Sequence, residues 1–225
     1  MKKLILIMFM MVSTVYANDI YVTQSGASLD LDILQDGQNN TIGSSTTSSS
    51  VIGATTNFDI RQIGDSNVIT FDINGANYTG TWAITGNSNN IDFNCDSGGS
   101  NSSCGTATAN ITWTGNSSDI DLDIGETSAA GNATVNITGA SGSDSNVIAA
   151  SIDGTSVILT LSVNGDTNNY LIDIDGNGDV NGHTLIHSHT GGIADVDITQ
   201  SGVYDNMLNL TTSGDNHDID IIQRD

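Results

Sequence analysis

The sequence predicts an all-β chain folded as a parallel two-sheet β-solenoid of 22-residue strand-turn-strand repeats. Three observations lead there. One slot recurs every eleven residues, apolar side chains alternate ahead of it, and the chain of 225 residues holds 25 glycines and no proline.

Residues 1–17 read as a signal peptide. Lys2 and Lys3 form the positive end, an apolar run follows, and Val15-Tyr16-Ala17 suits cleavage after Ala17. The remainder, 18–225, reads as one solenoid domain. The recurring slot lies two residues before a turn glycine or in the equivalent place. It holds Gln24, Gln35, Gln62, Ile73, Ile84, Cys95, Trp113, Ile124, Ile137, Ile152, Val163, Ile174, His189, Gln200, Thr212 and Gln223. Nine of the steps are eleven residues: 24 to 35, 62 to 73, 73 to 84, 84 to 95, 113 to 124, 152 to 163, 163 to 174, 189 to 200 and 212 to 223. The others are longer, as loop insertions would make them. The step from 35 to 62 takes one further strand plus a Ser/Thr-rich insert.

Ahead of each slot the apolar residues alternate, as in Ile69-x-Phe71-x-Ile73, Ile91-x-Phe93-x-Cys95, Ile120-x-Leu122-x-Ile124 and Val157-x-Leu159-x-Leu161-x-Val163. Period two over five to seven residues is a half-buried strand. Eleven residues make a strand and a turn, and two such units make a rung that stacks on its own copy. An antiparallel sandwich is the other arrangement of such strands, but hairpins do not need in-register repetition. Proline is excluded because each inner strand donates to its neighbours.

The units Gln35-x-Gly37-x-x-Asn40-x-Ile42 and Gln62-x-Gly64-x-x-Asn67-x-Ile69, on this 22-residue double period, resemble the curlin repeat of curli amyloid fibre subunits. Gln24 with Gly26, Gln200 with Gly202, and Gln223 extend the likeness to both ends, and Asn89 and Asn168 keep the asparagine place. The resemblance implies Gln and Asn ladders inside a self-assembling fibre. The middle units depart from it, with Ile, Trp or Val replacing Gln.

With Lys2 and Lys3 removed, two arginines face 26 acids, a net charge of −24. Such a surface repels nucleic acid and anionic membranes, so neither nucleic-acid binding nor membrane insertion is expected. By alternation, Asp72, Asp92, Asp121, Asp123, Asp173, Asp195, Asp197, Asp218 and Asp220 share one outer face. Thr79, Thr81, Thr108, Asn110, Thr112, Asn132, Thr134, Asn136, Thr160 and Thr211 share the other. Aligned carboxylates read as a solvated acidic face or a ground for divalent cations. Aligned threonines read as good exposed strand residues or as a surface for ice.

Cys95 takes a marker slot and Cys104 the glycine slot of the next strand, nine residues on, so a disulfide would close a seven-residue insertion at its base. Asp173, Asp175, Asn177, Asp179 and Asn181 match the ligand spacing of a calcium loop with Gly178 at its sixth place. The twelfth place is Thr184 rather than an acid. Calcium there is the one cofactor the sequence suggests. His183, His187 and His189 share one strand parity, which suits a structural cluster or a metal. No nucleophile-and-base arrangement stands out, and no enzyme is expected.

These readings converge on an exported, extracellular structural subunit of a curli-like amyloid fibre or biofilm matrix. It would self-assemble through terminal strand edges, Ile20, Val22 and Gln24 at one end and Ile219, Ile221 and Gln223 at the other. The alternative is a monomeric solenoid adhesin or surface-binding module for ice, a glycan or a virion fibre. Expected partners are further copies of the chain, divalent cations or a surface ligand.

Overall fold

The computed structural model describes residues 19–37, 40–43, 49–64, 66–75, 77–86, 88–95, 104–116, 118–125, 130–176, 182–202 and 206–224. The signal peptide expected at 1–17 lies outside them. Strands follow one another as β1 (Asp19–Ile20), β2 (Thr23–Asp36), β3 (Thr41–Ile42), β4 (Ser49–Ile63), β5 (Val68–Gly75), β6 (Asn77–Thr85), β7 (Asn90–Cys95) and β8 (Thr106–Thr114). Then come β9 (Asp119–Ile124), β10 (Ala130–Gly139), β11 (Val147–Asn164), β12 (Asn168–Gly176), β13 (Thr184–Thr190), β14 (Ala194–Ser201), β15 (Met207–Ser213) and β16 (His217–Arg224).

Among the described residues every strand pairing is parallel, and the chain winds as a β-solenoid. Register advances by 22 residues where no insertion intervenes, as in Thr56↔Tyr78, Val68↔Asn90 and Val147↔Asn169. Where one does, the advance is 23 to 29, as in Leu185↔Leu208, Ile158↔Thr184 and Asn77↔Thr106. Insertions therefore leave the stack as loops without shifting the inward set. A one-residue slip would turn every apolar side chain to solvent.

One column of core residues runs Ile20, Ile42, Ile69, Ile91, Ile120, Ile148, Tyr170, Val196, Ile219. Across the core another runs Ile60, Trp82, Ile111, Ile137, Leu161, His187, Leu210. Aromatic rings fill the earlier turns. Phe58 and Phe71 centroids lie 4.2 Å apart, Trp82 and Phe93 5.3 Å, Tyr78 and Phe93 5.0 Å. Each fully buried side chain of this size contributes about 1.5–3 kcal/mol relative to exposure.

One marker needs correction. The column through Gln62, Ile84 and Trp113 continues to Gly139 and Val163, so the slot expected at Ile137 belongs two residues later. The indole of Trp113 occupies the space a side chain at 139 would need. Glycine there leaves no apolar mark for alternation to register. Gly80 plays the same part for the Tyr78 hydroxyl.

The outer faces are as the alternation assigns them. The Asp residues line the sheet that carries β5, β7, β9, β12, β14 and β16, and the Thr and Asn residues line the sheet that carries β6, β8, β10, the second half of β11, β13 and β15.

Candidate functional site: corner ladders, faces and stack ends

The Q-x-G-x-x-N units form the corner where the chain leaves the Thr-bearing sheet for the Asp-bearing one. Gly37, Gly64, Gly86 and Gly115 take φ of 148°, 139°, 155° and 144° there. A Cβ on Gly64 would collide with the carbonyl oxygen of Gly37, and one on Gly86 with that of Gly64. Two residues after the glycine the chain turns left-handed, at Ser66 (φ 59°), Ser88 (59°), Thr167 (60°) and Asn216 (63°). This sharp bend points backbone carbonyls inward, where they need donors.

The asparagines supply them. Asn67 Nδ2 donates to the carbonyls of Gly64 (3.2 Å) and Thr85 (3.1 Å). Asn89 Nδ2 donates to Gly86 O at 2.7 Å, Asn168 Nδ2 to Gly165 O at 3.1 Å, and Asn40 Nδ2 to Ile63 O at 2.6 Å. All four are buried. Sequence reading missed two members. Asn146 donates to Ser143 O at 2.5 Å and to Asn168 Oδ1 at 3.0 Å, and its Oδ1 accepts from Ser118 N at 2.9 Å. Ser118 itself fills the asparagine place beside Asn89, 3.3 Å from its Nδ2. Their signal was three-residue spacing from Gly115 and from Ser143, a serine standing where glycine was sought.

The glutamines meet only near the ends. Gln62 Nε2 donates to Gln35 Oε1 at 2.7 Å, and Ile84 ends that ladder on the next turn. Gln200 and Gln223 are in register. Gln200 Nε2 bonds His183 O at 3.0 Å and Gln223 Nε2 bonds Asn206 O at 2.7 Å. Gln24 shares their column through Val51, Ile73, Cys95, Ile124, Ile152 and Ile174. At the opposite corner, a Cβ on Gly53 would meet the Gly26 carbonyl, and one on Gly202 would crowd the His183 ring and Asn206.

Cys95 and Cys104 are disulfide-bonded, with Cα atoms 5.6 Å apart. Both are buried, so the bridge joins the core at the base of the insertion. Asp173 and Asp175 stand on the outer side of β12, where Asp175 Oδ1 accepts from Ser201 Oγ at 2.6 Å. Asn177, Asp179 and Asn181 lie outside the described residues. Among the described residues no three His, Cys, Asp or Glu groups are placed to hold a metal ion.

On the acidic face, partial desolvation raises the carboxyl pKa of Asp92, and Asp121, Asp72 and Asp119 push it further. Asp121 is raised by desolvation and then by Asp119, and Asp173 by desolvation and then by Asp175. The neutral face carries ranks in register, such as Thr79, Thr108 and Thr134, and a side-chain bond from Asn136 Nδ2 to Asn110 Oδ1 at 2.9 Å.

At the last strand, core positions lose their cover. Ile219 and Ile221 on β16 are exposed by 37% and 44%, whereas Val196 and Ile198 beneath them are buried. Comparison with protein-family models, with curated proteins and with solved structures finds no match for this chain.

Proposed function

We propose that the chain is an exported structural subunit of an extracellular, curlin-like fibre or biofilm matrix, growing as copies add through the strand edges of the stack. The observation that carries this reading is the self-similarity of the ends. Ile20 and Ile219 occupy one core column, and the backbone register puts Gln24 and Gln223 at the two ends of another column. A second copy set on β16 therefore finds the side chains that each turn offers the next. An open edge with exposed isoleucines is a template for pairing, and parallel, in-register stacking with Asn and Gln ladders is how cross-β assemblies are held. The reading is structural rather than catalytic. The neutral Thr face also supports the second reading, a monomeric adhesin or surface-binding module, because it lets a surface approach without meeting the acidic columns.

The test is thioflavin binding and electron microscopy of the purified chain from residue 18 onward. Fibrils whose growth is blocked by Ile219→Lys with Ile221→Lys support the subunit reading. A protein that remains monomeric, with unchanged spectra, supports the surface-binding module instead.

A further inference from the structure

All four histidines of the chain, His183, His187, His189 and His217, lie in its last turns. His187 and His189 point into the core of β13 and are fully buried. In its column His187 replaces the leucine of the strands on either side, Leu161 on β11 and Leu210 on β15. Among the described residues, neither of its ring nitrogens has a hydrogen-bond partner, nor has either nitrogen of His217. The rings contact one another through Tyr170 on β12, whose centroid is 4.5 Å from His187 and 5.7 Å from His189. His189 in turn lies 5.3 Å from His217 on β16. The Tyr170 hydroxyl and His189 Nδ1 are 2.9 Å apart.

We propose that this cluster makes the last turns an acid-sensitive segment: protonating His187 and His189 opens β13, β15 and β16 while the earlier turns stay stacked. His187 and His189 lie in one apolar space beside His217, so a proton on either of the first two is both desolvated and repelled by the neighbouring ring. The surrounding groups do not compensate. Tyr170 is neutral, β11 and β15 offer leucines to His187, and β14 turns Val196 and Ile198 inward. Asp166, before β12, favours charge on His189, but burial and His217 act more strongly in the opposite sense. Asp175 faces His183, not His187. Burial, then His189, lowers the His187 pKa from 6.5 to about 4. A depressed histidine leaves stability intact above the unfolded value, and stability is lost as pH falls below it. The window therefore runs from about 6.5 down to about 4. The earlier turns hold no histidine and lack this liability.

Hydrogen exchange with mass spectrometry at pH 7.5 and pH 5.0, corrected for intrinsic rates, tests the proposal. Protection in peptides covering 184–224 is expected to fall roughly thirtyfold for His187 alone, while peptides covering 68–95 and 106–124 keep theirs. His187→Leu, which continues the column of Leu161 and Leu210, is expected to retain most protection at pH 5.0, and His187→Met serves if the leucine variant does not fold. Equal protection of the last turns in the unmodified chain at both pH values would overturn the proposal. So would equal acid loss in a folded variant lacking His187.

Discussion

The carbonyl oxygen of Gly37 occupies the space that a side chain on Gly64 would need, one turn along the stack. With φ of 139° at Gly64, both sterics and backbone conformation demand glycine. Gly64→Ala is expected to cost at least about 2–3 kcal/mol, seen as a lower denaturation midpoint. Gly142 has φ of 83°, but the space where its Cβ would stand is empty for 4 Å around, so Gly142→Ala should cost only about 1 kcal/mol. Equal losses would mean that the close approach of successive turns is not the constraint.

Asn146 joins three turns through Ser118, Ser143 and Asn168. Removing its side chain strands a buried carbonyl and a buried amide. Asn146→Ala should therefore cost about 2–3 kcal/mol, whereas exposed Asn169→Ala should stay within about 0.5 kcal/mol. Urea titration of both variants checks this, and similar midpoints would remove the ladder from the account.

The acidic face carries the opposite pH dependence to the histidines. Asp92 has a folded pKa above its ordinary 3.8, so ionisation opposes folding and its cost is fully present at neutral pH. Asp92→Asn should raise the melting temperature at pH 7 and lose that advantage near pH 3, where the carboxyl is protonated in both states. Magnesium or calcium should narrow the gap at pH 7 by screening the column. A variant no more stable than the parent at pH 7 would contradict this electrostatic picture.

Much of this architecture was legible because a parallel stack repeats one local problem. The alternation of Ile69, Phe71 and Ile73 placed the inward set, and Asp92 and Thr79 fell on the faces it assigned. The eleven-residue step survived the insertions because loops leave the register untouched. It failed at Gly139, where bulk comes from Trp113 on the neighbouring strand and a single-strand pattern holds no trace of it. Asn146 escaped because serine replaces the expected glycine before it. The isolation of His187 within a leucine column depends on strands 23 and 26 residues apart, and parity along β13 could not show it. The calcium-loop spacing drew on Asn177, Asp179 and Asn181, which lie outside the described residues.

Assembly is the central claim, and salt tests it more cleanly than acid, because acid relieves the Asp columns while charging the histidines. Repulsion between chains of net charge −22, or −24 once Lys2 and Lys3 are removed, is long-ranged. Its reach shrinks from about 30 Å at 0.01 M salt to about 8 Å at physiological strength, whereas pairing at β16 is short-ranged and hardly screened. The direct measurement is light scattering of the purified chain at neutral pH across a sodium chloride series, with and without magnesium. Monomer at low salt, with scattering that rises as salt increases and rises sooner with magnesium, is the predicted result. A chain that stays monomeric at the highest salt and magnesium would contradict the fibre reading.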